Sequence, residues 1–344
     1  MVETINAINT AENKKVNKKR IDYIDIYRAF GIILMIMGHI GFGKRFDYFI
    51  HAFHMPMFFI VSGFFFKSGV NFKEFTVKKV KSLLLPYFVF GILFYFIWVA
   101  LNWQEKSLQP LINLFSVNTD GLPIAGALWF LTSLFFTELL FFLIDKIKFK
   151  WIKYIIIILI SLLGNVAVQI IPFRLPFALD AAFVGVGLFG IGYLFKLFKE
   201  SKIVNKLFNL KFYVILPLII INIYLIFTND YINMRCGLYG NIPLFWINAF
   251  LAFIIGINIC KKLDSFLNTK IKNFITEIGK NSIIYLCFNQ IVILVINIFT
   301  KNIVIENDTQ KYLVNSLIMV ISLILLKVLS LIMVKTKLRV LVGK

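Results

Sequence analysis

The chain has 344 residues, of which 60% are hydrophobic and only 16% are charged. Soluble globular domains are about 45–50% apolar and about 25% charged, so this composition excludes a soluble globular protein and predicts a lipid bilayer as the main solvent. The formal net charge is +20, but the basic residues lie between apolar segments instead of gathering on one soluble face. This distribution argues against a nucleic-acid partner.

The first 22 residues are polar and contain no apolar core or cleavage site of the kind found in signal peptides. Residues 1–22 are therefore predicted to form a cytoplasmic tail, whose basic residues are Lys14, Lys15, Lys18, Lys19 and Arg20. The three cysteines, Cys236, Cys260 and Cys287, are scattered singly. Their spacing predicts neither a disulfide framework nor a bound metal.

A membrane-spanning helix needs about 20 predominantly apolar residues. The sequence predicts ten such helices, near residues 23–42, 47–66, 83–101, 123–144, 152–171, 177–197, 212–228, 243–260, 282–300 and 312–334. We therefore expect an all-α fold, a polytopic membrane helix bundle of about ten transmembrane helices. Residues 23–334 would form a single domain and residues 335–344 a short cytoplasmic tail.

The distribution of Lys and Arg tests this number of helices, because these residues concentrate on the cytoplasmic side of membrane proteins. When the segments between the ten helices are assigned alternately to two sides, one side carries 28 basic residues and the other carries 7. The side with 28 includes both chain termini. The sequence therefore predicts that both termini are cytoplasmic, and the net charge follows from topology.

The first predicted helix contains ionisable residues, which cost about 2.5–3.5 kcal/mol each within a membrane. Arg28 and His39 are eleven residues apart, close to three whole turns, so they project from one face about 16 Å apart along the helix axis. Asp25 is three residues before Arg28 and can pair with it. Arg28 alone also fits a residue that extends to the cytoplasmic surface, but the face shared with His39 favours a polar track.

The second predicted helix carries the other two histidines of the chain, His51 and His54. If the first two helices form an antiparallel hairpin, residue n lies near residue 88 minus n. His39 would then lie within two turns of both histidines, and Arg28 would lie close to Ser62. We also expect Pro56 to kink the second helix.

These residue types point to a reaction that needs a base and an anion-binding group. A neutral histidine in a partly dehydrated site can accept a proton from a hydroxyl, and the arginine fork binds phosphate. Lys78, Lys79 and Lys81 are further candidates to bind phosphate groups on the cytoplasmic side. Ordinary cytoplasmic anchoring explains these lysines as well, and we favour that explanation on the sequence alone.

Several motifs follow one another in an order known from one protein family. The first helix has the arginine, ten residues, histidine spacing of Arg28 and His39, and residues 53–64 read Phe-His-Met-Pro-Met-Phe-Phe-Ile-Val-Ser-Gly-Phe. Three further motifs are Lys-Lys-Val-Lys-Ser-Leu-Leu-Leu-Pro-Tyr at 78–87, Leu-Trp-Phe-Leu at 128–131, and Gly-Lys-Asn-Ser at 279–282 with Tyr285. In these motifs the chain resembles the acyltransferase 3 family of integral membrane proteins, particularly its branch related to sugar O-acetylases.

The resemblance implies transfer of an acyl group, usually acetyl, from cytoplasmic acetyl-CoA or another acyl-CoA. The implied acceptor is a hydroxyl of an extracytoplasmic or lipid-linked cell-envelope carbohydrate, and the implied location is the cell membrane, which the chain would cross several times. No metal is implied. By analogy His39 is the general base or transient acyl acceptor, Arg28 orients the donor, and His54 assists.

The implied donor-binding residues are Arg28, Ser62, Lys78, Lys79 and Lys81, and weaker candidates for the site are Asp25, His51, Trp129, Asn281, Ser282 and Tyr285. The chain departs from the family pattern four residues after Tyr285, where the family often has a histidine and this chain has Asn289. Either His51 or Gln290 is a candidate to take the place of that histidine.

The alternative hypothesis is a transporter or flippase for a glycan or small molecule, in which the Arg28 and His39 track carries substrate or protons. The sequence shows neither an inverted repeat nor a matching pair of helices broken by Gly or Pro. A purely structural scaffold would not need clustered ionisable groups in its membrane helices. The order of the motifs therefore favours the enzyme.

Overall fold

The computed structural model describes residues 21–104, 107–116, 121–171 and 173–343. Residues 1–20 of the predicted basic tail lie outside the described residues. The structure is 80% helical, and the described ranges contain no strand. This confirms the predicted all-α helix bundle.

Fifteen α-helices of the described chain are numbered here in chain order. They are α1 (Asp22–Ile40), α2 (Lys44–His51), α3 (His54–Phe64), α4 (Phe72–Lys79), α5 (Leu85–Leu101), α6 (Gln109–Phe115), α7 (Trp129–Asp145), α8 (Lys150–Ile170), α9 (Leu179–Leu197), α10 (Lys202–Leu207), α11 (Phe212–Thr228), α12 (Ile242–Phe266), α13 (Thr269–Lys280), α14 (Ser282–Thr300) and α15 (Asp308–Lys335). A π-helical turn, Val80–Leu84, joins α4 to α5, and a 3₁₀ segment, Lys337–Val342, follows α15.

Eight helical stretches of the described chain are long and apolar enough to cross a membrane. They coincide with eight of the ten predicted transmembrane helices. The seventh prediction coincides with α11, an apolar helix of 17 residues. The second prediction, residues 47–66, is the exception.

Residues 47–66 do not form one helix, and this prediction was wrong. The chain leaves α2 at His51 and begins α3 at His54, so the break falls at Ala52 and Phe53. Pro56 explains its position, because a proline ring clashes with the carbonyl four residues earlier in a continuous helix. That carbonyl belongs to Ala52. Pro56 instead lies in the first turn of α3, where its missing N–H costs nothing, and the expected kink is a complete interruption.

The antiparallel register predicted for the hairpin is nevertheless present. A Cβ atom built on Gly31 would lie 2.8 Å from the terminal methyl carbon of Met57, and one built on Gly38 would lie 2.8 Å from Cδ1 of Ile50. In both pairs the two residue numbers add up to 88, as the predicted register requires. The interruption therefore changes the direction of α2 without shifting the residues that face α1.

The two ends of the described chain lie at the same end of the bundle, which is called the inner end below. Lys272 Nζ lies 3.4 Å from Asp22 Oδ2 at this end, and Val342 and Arg28 line one cavity there. The opposite, outer end contains Gly41, whose carbonyl accepts a hydrogen bond of 3.1 Å from Asn315. An even number of crossings fits this arrangement. The basic residues of the inner end are the basis of the prediction that this end faces the cytoplasm.

Helices α3 and α9 pack with their backbones in close contact. A Cβ atom on Gly63 would lie 1.9 Å from the carbonyl oxygen of Phe189, and one on Gly192 would lie 1.8 Å from that of Ile60. Small residues permit this approach between membrane helices. The contact fixes α3, and with it the start of the helix at His54, against the centre of the bundle.

We expect Gly192→Ala to destabilise the protein by about 3 kcal/mol, because the added methyl group collides with a backbone carbonyl that cannot move aside. Thermal unfolding in detergent measures the effect. Gly190→Ala is the matched control, since its Cβ would have no neighbour closer than 3.4 Å. Equal melting temperatures for the two variants would contradict the close packing of α3 on α9.

Candidate active site

One face of α1 lines cavities at both ends of the bundle, and the path along this face from one cavity to the other is called the route below. Arg28, Ile32, Met35 and His39 recur at intervals of four, three and four residues, which places them on one side of the helix. Arg28 and Ile32 line a cavity at the inner end, and Met35 and His39 line another at the outer end. The predicted shared face of Arg28 and His39 is therefore present, with apolar residues between the two polar ones.

Two polar cavities open at the inner end, and Arg28 and Ser62 line both. The first has a volume of about 210 Å³ and is also lined by Lys280, Asn281 and Ser282. The second has a volume of about 410 Å³, and its charged lining residues are Arg28, Lys67, Glu74, Lys78, Lys79 and Glu138. The structure thus brings together most of the residues proposed from sequence to hold an acyl donor. Lys81 is the exception, because it is exposed and lines neither cavity.

The guanidinium group of Arg28 is held from two sides. Its Nη1 atom lies 3.5 Å from Oδ1 of Asp25, as the spacing predicted, and its central carbon lies 5.0 Å from the centre of the Phe65 ring. Asp25 is itself fixed, because Gly279 packs so closely that an added Cβ would lie 1.9 Å from the Asp25 carbonyl oxygen. The Gly-Lys-Asn-Ser motif is therefore packed directly against the residue that pairs with Arg28.

Glu138 is a buried acidic residue of the inner end that sequence reasoning missed. It is only 4% exposed and forms an ion pair with Lys79. A buried carboxylate needs such a partner because the low dielectric disfavours an isolated charge. Lys79 therefore has a structural role at this cavity in addition to any contact with a donor.

The outer cavity has a volume of about 240 Å³ and collects all three histidines of the chain. Its other polar lining residues are Asp47, Tyr231, Asn233 and Arg235, and Trp129 closes one side. The rings of His51 and His54 contact each other with centroids 4.9 Å apart. His39 remains exposed within this cavity, so its ring is open to a substrate.

The hydrogen bonds of His51 and His54 fix which ring nitrogen carries the hydrogen. Nδ1 of His54 lies 2.8 Å from the carbonyl oxygen of Ile50, and Nδ1 of His51 lies 2.8 Å from that of Asp47. A carbonyl oxygen can only accept, so Nδ1 donates in both rings. In each neutral ring Nε2 is then the nitrogen with the available lone pair.

His39 has the opposite arrangement, which Gln290 determines. The side-chain oxygen of Gln290 accepts from the backbone N–H of Ala127 at 3.4 Å, so the amide nitrogen faces Nδ1 of His39 at 3.3 Å. An amide nitrogen can only donate, so Nδ1 of His39 accepts and Nε2 carries the hydrogen. Of the two candidates to replace the family histidine, Gln290 is thus the one on α14 that contacts His39.

An acid and a phenol complete the wall of the outer cavity. Tyr231 donates to Oδ2 of Asp47 at 2.8 Å, and Oδ1 of Asp47 lies 3.1 Å from Nδ1 of His51. Burial, and then the hydrogen bond to Asp47, raises the pKa of Tyr231. The phenol therefore stays protonated and holds the carboxylate beside His51.

Comparison with known proteins decides the family. The sequence profile of the acyltransferase 3 family, which describes an acyltransferase domain, matches residues 21–334. The chain belongs to the acyltransferase 3 family. It is therefore an acyltransferase, and its apolar helices make it a multi-pass membrane protein. No match is found among curated proteins or among solved structures.

Some residues that line the outer cavity of the acyltransferase could not be predicted from the sequence. Tyr231, Asn233 and Arg235 line the outer cavity, although they are nearly two hundred residues from the histidines in the chain. No local pattern signals this contact. Asp47 is different, because its spacing of four residues before His51 is a helical pairing signal that could have identified it.

Two residues of α14 at which the chain is compared with the family pattern lie away from the three polar cavities. Tyr285 is fully buried in the core, and it lines none of the three polar cavities. Asn289 is also fully buried, and its amide donates to the carbonyl oxygen of Leu286 at 2.5 Å. The departure from the family pattern at Asn289 therefore falls on a residue of the core.

Proposed function

We propose that this acyltransferase moves an acyl group, in the first instance acetyl, from cytoplasmic acetyl-CoA to a hydroxyl of a cell-envelope carbohydrate, either extracytoplasmic or lipid-linked. The proposal places the protein in the cell membrane and in the sugar O-acetylase-like branch of its family. The observation that carries it is the face of α1, on which Arg28 lines the basic inner cavities and His39 lines the outer histidine cavity. A donor and an acceptor can meet along such a face from opposite sides.

The inner cavities suit a donor whose phosphates stay outside the apolar part of the bundle. Arg28 supplies a planar fork for phosphate oxygens, and Lys78 and Lys79 add positive charge in the larger cavity. Ser62 lines both inner cavities and offers a hydroxyl. The thioester end of the donor would extend from Arg28 toward His39, about 16 Å along the helix axis.

The outer cavity offers both a proton donor and a proton acceptor, as acyl transfer requires. In the proposed reaction the acceptor hydroxyl attacks the thioester carbonyl and passes its proton to Nε2 of His54. The Nε2–H group of His39 donates to the carbonyl oxygen, which becomes negative in the transition state. The C–S bond then breaks, the CoA sulfur takes a proton, and the sugar keeps the acyl group as an ester. This assignment differs from the sequence-based hypothesis that His39 is the base.

The test of the function uses membranes that contain the protein, radiolabelled acetyl-CoA and an extract of envelope glycans. We expect base-labile label on the glycan and one free CoA thiol for each acetyl group transferred. Absence of CoA turnover in correctly inserted protein, with every envelope fraction, would refute the proposal. A glycan-translocation assay would then test the transporter alternative, which family membership does not favour.

Gln290→Glu distinguishes the two roles proposed for His39. A carboxylate at this position accepts from Nδ1–H, which moves the hydrogen of the neutral ring away from Nε2. If Nε2–H stabilises the oxyanion, kcat should fall by about 100-fold. Gln290→Met is the matched control, since it keeps the length of the side chain and leaves both tautomers of His39 available. A variant Gln290→Glu as fast as the wild type would contradict the oxyanion role and would favour the sequence-based role of His39 as the base.

A further inference from the structure

Leu286 occupies the boundary between the inner and outer cavities. Among the residues that the structure describes, it alone lines both the smaller inner cavity and the outer cavity. It lies in the second turn of α14 and is only 4% exposed. Its side chain is therefore part of the partition between the Arg28 side and the His39 side of the route.

Leu286 belongs to a row of residues on α14 that follows the route, as Arg28, Ile32, Met35 and His39 do on α1. Ser282, Leu286 and Gln290 are spaced four residues apart, which places them on one side of the helix. Ser282 lines the smaller inner cavity, and Gln290 contacts His39. On α1 the corresponding apolar positions are Ile32 in the inner cavity and Met35 in the outer one. Apolar side chains from two helices thus separate the two polar ends.

We propose that Leu286 determines which acyl groups are transferred, by limiting the route to short chains such as acetyl. This inference rests on the proposed function, in which the thioester passes from Arg28 to His39. The acyl group must then pass Leu286, and a longer chain would need the space that the leucine side chain fills. Hydrophobic pockets distinguish chains that differ by one methylene by about 10- to 200-fold, so one side chain at this boundary is enough to set the preference.

The experiment measures transfer from acetyl-CoA, butyryl-CoA and hexanoyl-CoA in membranes that contain the wild type or Leu286→Ala. We expect the truncation to raise the rate with hexanoyl-CoA relative to acetyl-CoA by about tenfold or more. Leu134→Ala is the matched control, because Leu134 is also buried and lines the smaller inner cavity without lining the outer one. Its ratio of the two rates should equal that of the wild type.

An unchanged ratio in Leu286→Ala, or an equal change in both variants, would overturn the proposal for Leu286. If Leu286→Ala does not fold, Leu286→Val provides a milder truncation, which should raise the relative rate with butyryl-CoA, and an unchanged rate would again overturn the proposal. These outcomes are distinct from failure of the proposed function. In that case the wild type itself would release no CoA from any of the three donors.

Discussion

Replacing His39 with alanine should reduce acyl transfer by about 100- to 10,000-fold. The reason is that a single proton-transferring or oxyanion-stabilising group contributes rate enhancement in this range. His39 is exposed in the outer cavity, so its removal leaves no buried void. We therefore expect the variant to insert and fold normally. Transfer is measured as label on the glycan per amount of folded protein.

Met35→Leu is the control for His39→Ala. Met35 lies one turn earlier on the same face of α1 and lines the same cavity, but this change conserves volume and removes no proton donor. Its rate should stay within about threefold of the wild type. Normal transfer by His39→Ala would remove this residue from the mechanism, whichever of the two proton roles is assigned to it.

Replacing Arg28 with lysine should raise the KM for the acyl donor by about 10- to 100-fold. Loss of one hydrogen bond to a charged group costs about 1.5–3 kcal/mol, and the point charge of lysine does not reproduce the planar fork. Lysine would also lose the stacking on Phe65, which lies 5.0 Å from the guanidinium carbon. Initial rates across a range of acetyl-CoA concentrations separate this effect on KM from an effect on kcat.

Lys81→Ala tests whether the effect of Arg28→Lys is specific. Lys81 belongs to the same basic segment as Lys78 and Lys79 but is exposed and outside both inner cavities. Its removal should change KM by less than about twofold, since an exposed charge is well screened by salt. If Lys81→Ala raised KM as much as Arg28→Lys, general attraction of the donor to a basic surface would replace the binding site proposed around Arg28.

The sequence was sufficient to predict the features that depend on residues close together in the chain. Hydrophobic segments of sufficient length identified the membrane helices, and the helical period placed Arg28 and His39 on one face. Residue spacing also gave the register of the first hairpin. The interruption at Ala52 and Phe53 was open to prediction too, because the clash of Pro56 with the carbonyl of Ala52 follows from covalent geometry. The prediction of one continuous helix over residues 47–66 gave more weight to the length of this apolar segment than to Pro56.

The remaining parts of the site depend on tertiary contacts. Tyr231 and Arg235 reach the outer cavity only because α11 packs beside α2 and α12 packs beside α1 and α3. Glu138 meets Lys79 only through the packing of α7. The different orientations of Asn289 and Gln290 show the same limit. These neighbours differ by about 100° around α14, and their spacing from Tyr285 does not say which of them faces His39.

The apolar partition between Arg28 and His39 has a consequence for energetics. Moving one elementary charge across the membrane changes its energy by about 2.3 kcal/mol per 100 mV of potential. In the proposed reaction the phosphates of the donor stay with the basic residues of the inner end, and only the uncharged thioester end of the donor passes Ile32, Met35 and Leu286. The transmembrane voltage would therefore neither drive nor oppose the transfer, and the free energy for crossing would come from the thioester bond itself.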